Sequence, residues 1–455
     1  MKHAFYDLEQ HAERTALRDG KHSITYASLA QHADKLVAPL GQGKKLVFIL
    51  MSNDVNCIAA YLGCLRNGHC ALLLAADIGN DKLASLTSRY KPDAVMTSER
   101  LTLCENVHRI SPPDSLALLL STSGSTGSAK LVALSLTNLS TNAESIVASL
   151  PIKNSDVAIT MLPLNYSYGL SVLNTHLLVG AAIVVTKATV MQRDFWTQVE
   201  THKVTSLAGV PHSYQLLDRL RFFNNDWPTI RYITQAGGKL PRHIAEHIAN
   251  WANQYDKAFF IMYGQTEATA RIACLDWPGA LKKPNAIGKA IPGGLLQLRD
   301  DDGSVIQACD KEGELFYSGP NVMLGYIESL DDFSSLSSMH WLATGDLAKM
   351  DAQGDFTITG RKKRFLKLFG ERLSLDEVEH WLHSQSIAAV CIGSDAELGV
   401  LVVSDEVSNA LIMQVAEFCG IHHSVIKVCK IPEIPRLQNG KVDYSAAQRL
   451  LEYSE

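Results

Sequence analysis

The ten residues Ser121-Thr122-Ser123-Gly124-Ser125-Thr126-Gly127-Ser128-Ala129-Lys130 hold six hydroxyl side chains, two glycines and a terminal lysine. Glycines let a backbone approach a ligand closely. Successive N–H groups in such a loop form an anion-binding nest, to which hydroxyls and a lysine add donors and charge. The apolar run Leu116-Ala117-Leu118-Leu119-Leu120 leads straight into it, so a strand feeds the loop. That combination suits a polyphosphate. It is not the Walker A pattern, because Gly124 and Gly127 are three apart and Lys130 is followed by Leu131.

Four further segments carry chemistry. Tyr263-Gly264-Gln265-Thr266-Glu267 follows the β-type run Phe259-Phe260-Ile261-Met262, which puts an aromatic ring, a hydroxyl and a carboxylate at a strand end, where open parallel sheets bind ligands. Asp346, in Thr344-Gly345-Asp346, is a polar residue inside an apolar segment, and a carboxylate accepts hydrogen bonds from paired hydroxyls. Gly360-Arg361-Lys362-Lys363-Arg364 is a basic run between two structured stretches. Pro435-Arg436-Leu437-Gln438-Asn439-Gly440-Lys441 ends on a lysine after an Asn-Gly turn signal, which predicts an exposed loop.

In this order and spacing the five segments resemble the adenylate-forming superfamily, which includes acyl-CoA synthetases, peptide-synthetase adenylation domains and luciferases; the chain is most similar to its acyl-CoA synthetase and aryl or fatty acid ligase branch. Weaker matches at Ile24 to Leu29, Gly237-Gly238 and Gly313 to Tyr326 extend the resemblance over essentially the whole chain. The resemblance implies an ATP site made of Ser121 to Gly127, Lys130, Gly237, Gly238, Tyr263, Gly264, Gln265 and Thr266. Tyr263 would stack on adenine, Asp346 would hold the ribose with help from Arg361, and Glu267 would be the Mg²⁺ ligand. Lys441 would place its charge at the α-phosphate, which makes Lys441, Glu267 and Thr266 the catalytic set. It implies a hinge at Lys363, where members carry Asp or Lys, and a channel for the thiol near Gly370. Arg364 and Lys367 could equally be plain solvated charges.

The implied reaction is that of an AMP-forming acid–thiol ligase: a carboxylic acid and ATP give acyl-adenylate, and the thiol of CoA or of the phosphopantetheine arm of an acyl carrier protein displaces AMP. Alternatives left open are transfer to an amine, a homologue that binds nucleotide without turnover, and a carrier-docking module. Leu162-Pro163-Leu164-Asn165-Tyr166-Ser167-Tyr168-Gly169 is similar to the L-P-L-F-H-x-x-G segment of fatty and aryl acid ligases, with Asn165 and Tyr166 replacing Phe and His. No acidic residue occurs between Met161 and Lys187 to partner a substrate ammonium, which disfavours an amino acid. Tyr166, Tyr168, Gly169 and Pro211 are the expected pocket wall, and a fatty or aryl acid the expected substrate.

The elements that must position these residues are those of an α/β protein. β-rich runs at 45–50, 157–162, 181–186 and 257–262 alternate with helical periods such as Val55 to Arg66, capped by Asp54. Such alternation predicts mostly parallel sheets flanked by helices. From about Pro284, Gly-rich turns bracket short strands and predict a small β region. The expected organisation is a large domain, 1–361, and a small mobile α+β domain, 362–455, with a helix over 377–382 and strands over 388–392 and 400–403.

Composition narrows the classes. The 455 residues are 46% hydrophobic and 20% charged, with a net charge of -5, which excludes a disordered chain and gives no basic excess for nucleic acid. The longest apolar stretch, Leu177 to Val185, is far below the roughly 20 residues of a membrane helix. No secretory signal is visible at the start, and the nine cysteines contain no C-x-x-C pair. Reduced core thiols in a cytoplasmic protein are expected.

Overall fold

A computed structural model of the chain describes residues 4–105, 111–121, 130–362, 364–368, 371–394, 396–403 and 409–452. It is an α/β protein in which runs of strand-forming residues feed two large mixed sheets flanked by helices. In the nine-stranded sheet the order is Lys289–Ala290, Ala273–Leu275, Ala258–Tyr263, Tyr232–Gln235, Ser206–Gly209, Val157–Ile159, Ala182–Val185, Thr15–Asp19, His22–Thr25. Ala258–Tyr263 through Thr15–Asp19 run parallel, and antiparallel strands close both edges. The seven-stranded sheet is likewise parallel at its centre, from Ala94–Met96 through Leu46–Met51 and Cys70–Ala75 to Leu118–Ser121. Its central strands are buried on both faces, as near-continuous apolar runs require.

The chain divides into two compact units. One holds most of the residues up to Leu342; the other holds Gln297–Phe316 with the residues from Ala343 onward. The small β region is real: Leu295–Arg299, Val305–Ile306, Gly313–Ser318, Leu342–Met350 and Phe356–Arg361 form a five-stranded sheet. Farther along, the helix Leu375–Ser384 and the strands Ala389–Ser394 and Glu397–Val402 stand close to the spans expected from sequence. Leu366, Val378, Leu398, Val400 and Val415 belong to their common core.

The helix Val55–Arg66 begins where expected, with Asp54 accepting the Cys57 N–H at 2.9 Å. The strand expected over 157–162 stops at Ile159. Pro163 supplies no N–H, and the residue before a proline is steered toward a turn or extended dipeptide, so the chain leaves the sheet early. The cysteines are free thiols, and Cys57, Cys64, Cys70, Cys391 and Cys429 are buried. Cys309 corrects the core expectation, since it lies exposed in the turn after Val305–Ile306. Among the described residues no helix is long and apolar enough to cross a membrane.

Candidate active site

The parallel strands of the nine-stranded sheet deliver the predicted residues from their carboxyl ends, the side on which open α/β sheets bind ligands. Ser206–Gly209 leads through Val210 to Pro211, the first residue of the helix Pro211–Arg219. Tyr232–Gln235 leads to Gly237-Gly238, and the Gln235 amide donates to the Gly238 carbonyl at 2.8 Å. Ala258–Tyr263 ends at Tyr263 itself, and a short 3-10 turn, Thr266–Ala268, follows. Gln265 precedes that turn, and Thr266 Oγ1 lies 3.4 Å from Ser167 Oγ, which ties the turn to the first residue of the helix Ser167–Val179.

The turn is held by a set of backbone contacts that the sequence did not announce. Asn321 donates to the carbonyls of Ala268 (2.9 Å) and Arg271 (2.8 Å) and accepts from the Tyr317 hydroxyl (2.7 Å). Thr269, at φ 65°, returns a hydrogen bond to the Asn321 carbonyl. A Cβ on Gly264 would sit 1.9 Å from the Ala270 carbonyl oxygen, so only glycine lets the chain fold back this closely. Glu267 is thereby fixed with its carbonyl accepting from Met323 N and its carboxylate accepting from the Tyr326 hydroxyl at 2.9 Å. Burial, and next the Glu267 charge, raise the Tyr326 phenol above its ordinary value, so it stays a donor at neutral pH.

In the glycine loop, Ser121 ends the strand Leu118–Ser121 and is exposed, while Thr122, Ser123, Gly124, Ser125, Thr126 and Gly127 lie outside the described residues. Lys130 pairs with Glu328 at 2.7 Å and lies 5.7 Å from the Tyr326 ring centroid. Tyr326 is also the residue that donates to Glu267, so the lysine of the first motif and the carboxylate of the second share one neighbour. Tyr166 is half-buried: a Cβ on Gly237, at φ 86°, would meet its hydroxyl at 2.5 Å, and its ring stands edge-on to Tyr168 at 6.4 Å. Burial lifts the Tyr166 phenol to about 12. Tyr168 is 3% exposed, donates to Thr234 at 2.8 Å and packs into a core cluster; Gly169 lies on the helix against the Pro163 carbonyl. Asn53 holds the turn before them through the Leu162 carbonyl and the Leu164 N–H, each at 3.2 Å.

In the second unit, Asp346 and Arg361 are cross-strand partners on Leu342–Met350 and Phe356–Arg361. The Arg361 guanidinium donates to Asp346 at 3.1 Å, with Asp346 buried and Arg361 exposed. Lys441 follows the expected turn, in which Gly440 adopts φ 77° and the Asn439 side chain accepts the Lys441 N–H at 3.1 Å. Lys441 itself is half-buried, less open than the turn signal implied. Lys363 and Gly370 lie outside the described residues. Arg364 is a correction: far from solvated, its side chain is 12% exposed, pairs with Asp376 and with Glu379 (2.7 Å), and receives the Tyr444 ring at 4.2 Å.

The family model of AMP-binding enzymes matches residues 5–110 and 104–327. The chain belongs to the AMP-binding enzyme family. Its relatives include the long-chain-fatty-acid–CoA ligase of Yersinia pestis, 29% identical over 378 residues, which are 78% of this chain and 65% of that enzyme. The 2-succinylbenzoate–CoA ligase of Oceanobacillus iheyensis is 26% identical over 403 residues, 83% of this chain and 82% of that one. The solved O-succinylbenzoate coenzyme A synthetase of Bacillus subtilis, in complex with AMP, has the same fold, with a TM-score of 0.81, 23% identity and 97% of each chain covered.

This AMP-binding enzyme has the donor set that Mg²⁺ with a nucleotide needs. No group of three or more His, Cys, Asp or Glu side chains among the described residues could hold a metal alone. Glu267 is a single half-buried carboxylate beside the hydroxyl of Thr266, and Mg²⁺ is usually bound through one or two carboxylates plus substrate phosphates.

Proposed function

We propose that the protein is an AMP-forming acid–thiol ligase. The carboxylate oxygen of the acid attacks the α-phosphorus of ATP, pyrophosphate leaves, and a thiolate then attacks the acyl carbon and expels AMP. The observation that carries this reading is the convergence of Gly237-Gly238, Tyr263 and Thr266-Glu267 on the carboxyl ends of adjacent parallel strands in a chain of this family. Tyr263 offers an aromatic face for adenine. The Asp346 carboxylate, oriented by Arg361, accepts from ribose hydroxyls, and Lys130 leaves Glu328 to meet phosphate. Mg²⁺, when bound at Glu267, supplies charge neutralisation for the departing pyrophosphate. Lys441 supplies the positive charge that develops its full value only as negative charge builds on the α-phosphate, the condition for lowering a barrier rather than merely binding substrate.

Residues 362–455 act in this reading as a lid with Lys363 as its pivot. The acceptor is CoA or a phosphopantetheine thiol on an acyl carrier protein, and the acid is fatty or aryl. The test is pyrophosphate release with ATP and Mg²⁺ across fatty, aryl and amino acids, with hydroxylamine trapping the acyl-adenylate. Release confined to one acid class, followed by thioester formation on adding CoA or carrier protein, is the expected result. Nucleotide binding without release on any acid would overturn it.

A further inference from the structure

Arg271 stands four residues beyond Glu267 and has no part in the reading above. It is 2% exposed. Its side chain lines a small cavity together with Ile146, Leu150, Val172, Met262 and Tyr168. The guanidinium lies 4.8 Å from the Tyr168 ring centroid, its Nε makes no hydrogen bond, and among the described residues no carboxylate pairs with it. The groups acting on it electrostatically are the neutral Tyr168, Cys274 and Tyr166, and burial depresses its pKa.

A buried guanidinium is normally paired, because taking the charge out of water is costly and one aromatic face does not replace a counter-ion. Here the chain goes to some length to keep it in place. The Arg271 carbonyl accepts from Asn142 (3.1 Å) and Asn321 (2.8 Å), and Gly264 makes room for the Arg271 backbone. We propose that Arg271 recognises a second carboxylate on the acid substrate, so that the enzyme activates one end of a dicarboxylic acid and holds the other in this cavity. The planar fork of arginine donors matches a carboxylate bidentately. The held carboxylate cannot be the reacting one, since a guanidinium-paired carboxylate is a poor nucleophile, and the apolar lining suits the carbon chain between the two ends. The inference rests on the acid-activation reading.

The experiment measures pyrophosphate release and, in parallel, calorimetric binding for matched pairs: hexanedioate with hexanoate, octanedioate with octanoate, phthalate with benzoate. Wild type should favour a dicarboxylate over its monocarboxylate partner by a hundredfold or more in kcat/KM. Arg271→Leu should abolish or reverse that ranking, and Arg271→Lys, which keeps the charge without the fork, should weaken it. Thermal melts report folding of each variant; if the leucine variant fails to fold, the lysine variant carries the comparison. A wild type that takes monocarboxylates as well as dicarboxylates overturns the inference and leaves the ligase reading standing. Arg271-dependent binding of a dicarboxylate without pyrophosphate release on any acid removes the ligase reading and overturns the activation of one end, leaving Arg271 as a carboxylate-binding residue only. Absence of dicarboxylate binding in wild type overturns the inference.

Discussion

At the scale of residues, the chemistry is shared by a few side chains whose partners mostly came from unexpected places. Glu267 is engaged by Tyr326 and Lys130 by Glu328, contacts that bring together segments about 60 and 200 residues apart in the chain. Lys441→Ala should lower acyl-adenylate formation by about 10²–10³-fold, the usual loss for one preorganised electrostatic donor. Its half-buried turn is held by backbone bonds that alanine keeps, so its melting temperature should stay within a degree or two of wild type. Unchanged hydroxamate yield from that variant would remove Lys441 from the catalytic set. Buried His176 is poised by pH: its Nδ1 donates to Val172 O (2.8 Å), its Nε2 lies 3.4 Å from Tyr232 Oη, and burial holds its pKa below the ordinary value. The unfolded chain takes up a proton that the folded one refuses, so this contribution is complete above about pH 6.5 and is lost as pH falls below it, by up to ~1.4 kcal/mol per pH unit. Melts between pH 7.5 and 5.5 should slope less steeply for His176→Gln; His69, also depressed by burial, keeps the slope from vanishing.

At the scale of elements, the turn after Ala258–Tyr263 is the piece on which the site depends. Its shape is set by backbone approach rather than by side-chain pattern, which is why Gly264→Ala should be severe. The new Cβ would overlap the Ala270 carbonyl, and relieving a backbone clash of that kind costs about 1–3 kcal/mol while shifting Thr266, Glu267 and Arg271 together. Denaturant titration should show the loss, and nucleotide affinity should fall with it. A variant with wild-type stability and wild-type ATP binding would show that the turn tolerates a side chain there.

At the scale of the whole molecule, the second unit has its own cores and its own charge anchor. Arg364 bonds Asp376, Glu379, the Tyr444 hydroxyl at 2.8 Å and the Cys391 carbonyl at 2.8 Å, so it joins a helix, a strand and the final helix Tyr444–Glu452. Arg364→Ala strands two carboxylates in a partly buried setting and should cost about 3 kcal/mol. Hydrogen exchange should then rise over 375–394 and 444–452 and stay unchanged in the nine-stranded sheet. Uniform exchange across both units would contradict that independence.

Fold class and motif order were legible in the amino-acid sequence because both are local: strand runs, an Asp54 cap, glycines after a strand and an Asn-Gly turn each declare themselves within a few residues. The same holds for the small β region, announced by its turns, and for Asp346, a carboxylate amid apolar neighbours. What tertiary structure decided is which distant groups meet. Arg364 reads as a solvated charge until Glu379 and Tyr444 are folded onto it, and Tyr168 faces Thr234 only once the helix Ser167–Val179 lies on the sheet. Arg271 carried the same signal as Asp346, a charge within the apolar run Ala270 to Leu275, yet whether such a charge is neutralised depends on every element packed around it. Spacing along a chain fixes local backbone geometry; the pairing of buried charges is a property of the assembled interior, where desolvation makes each missing partner matter.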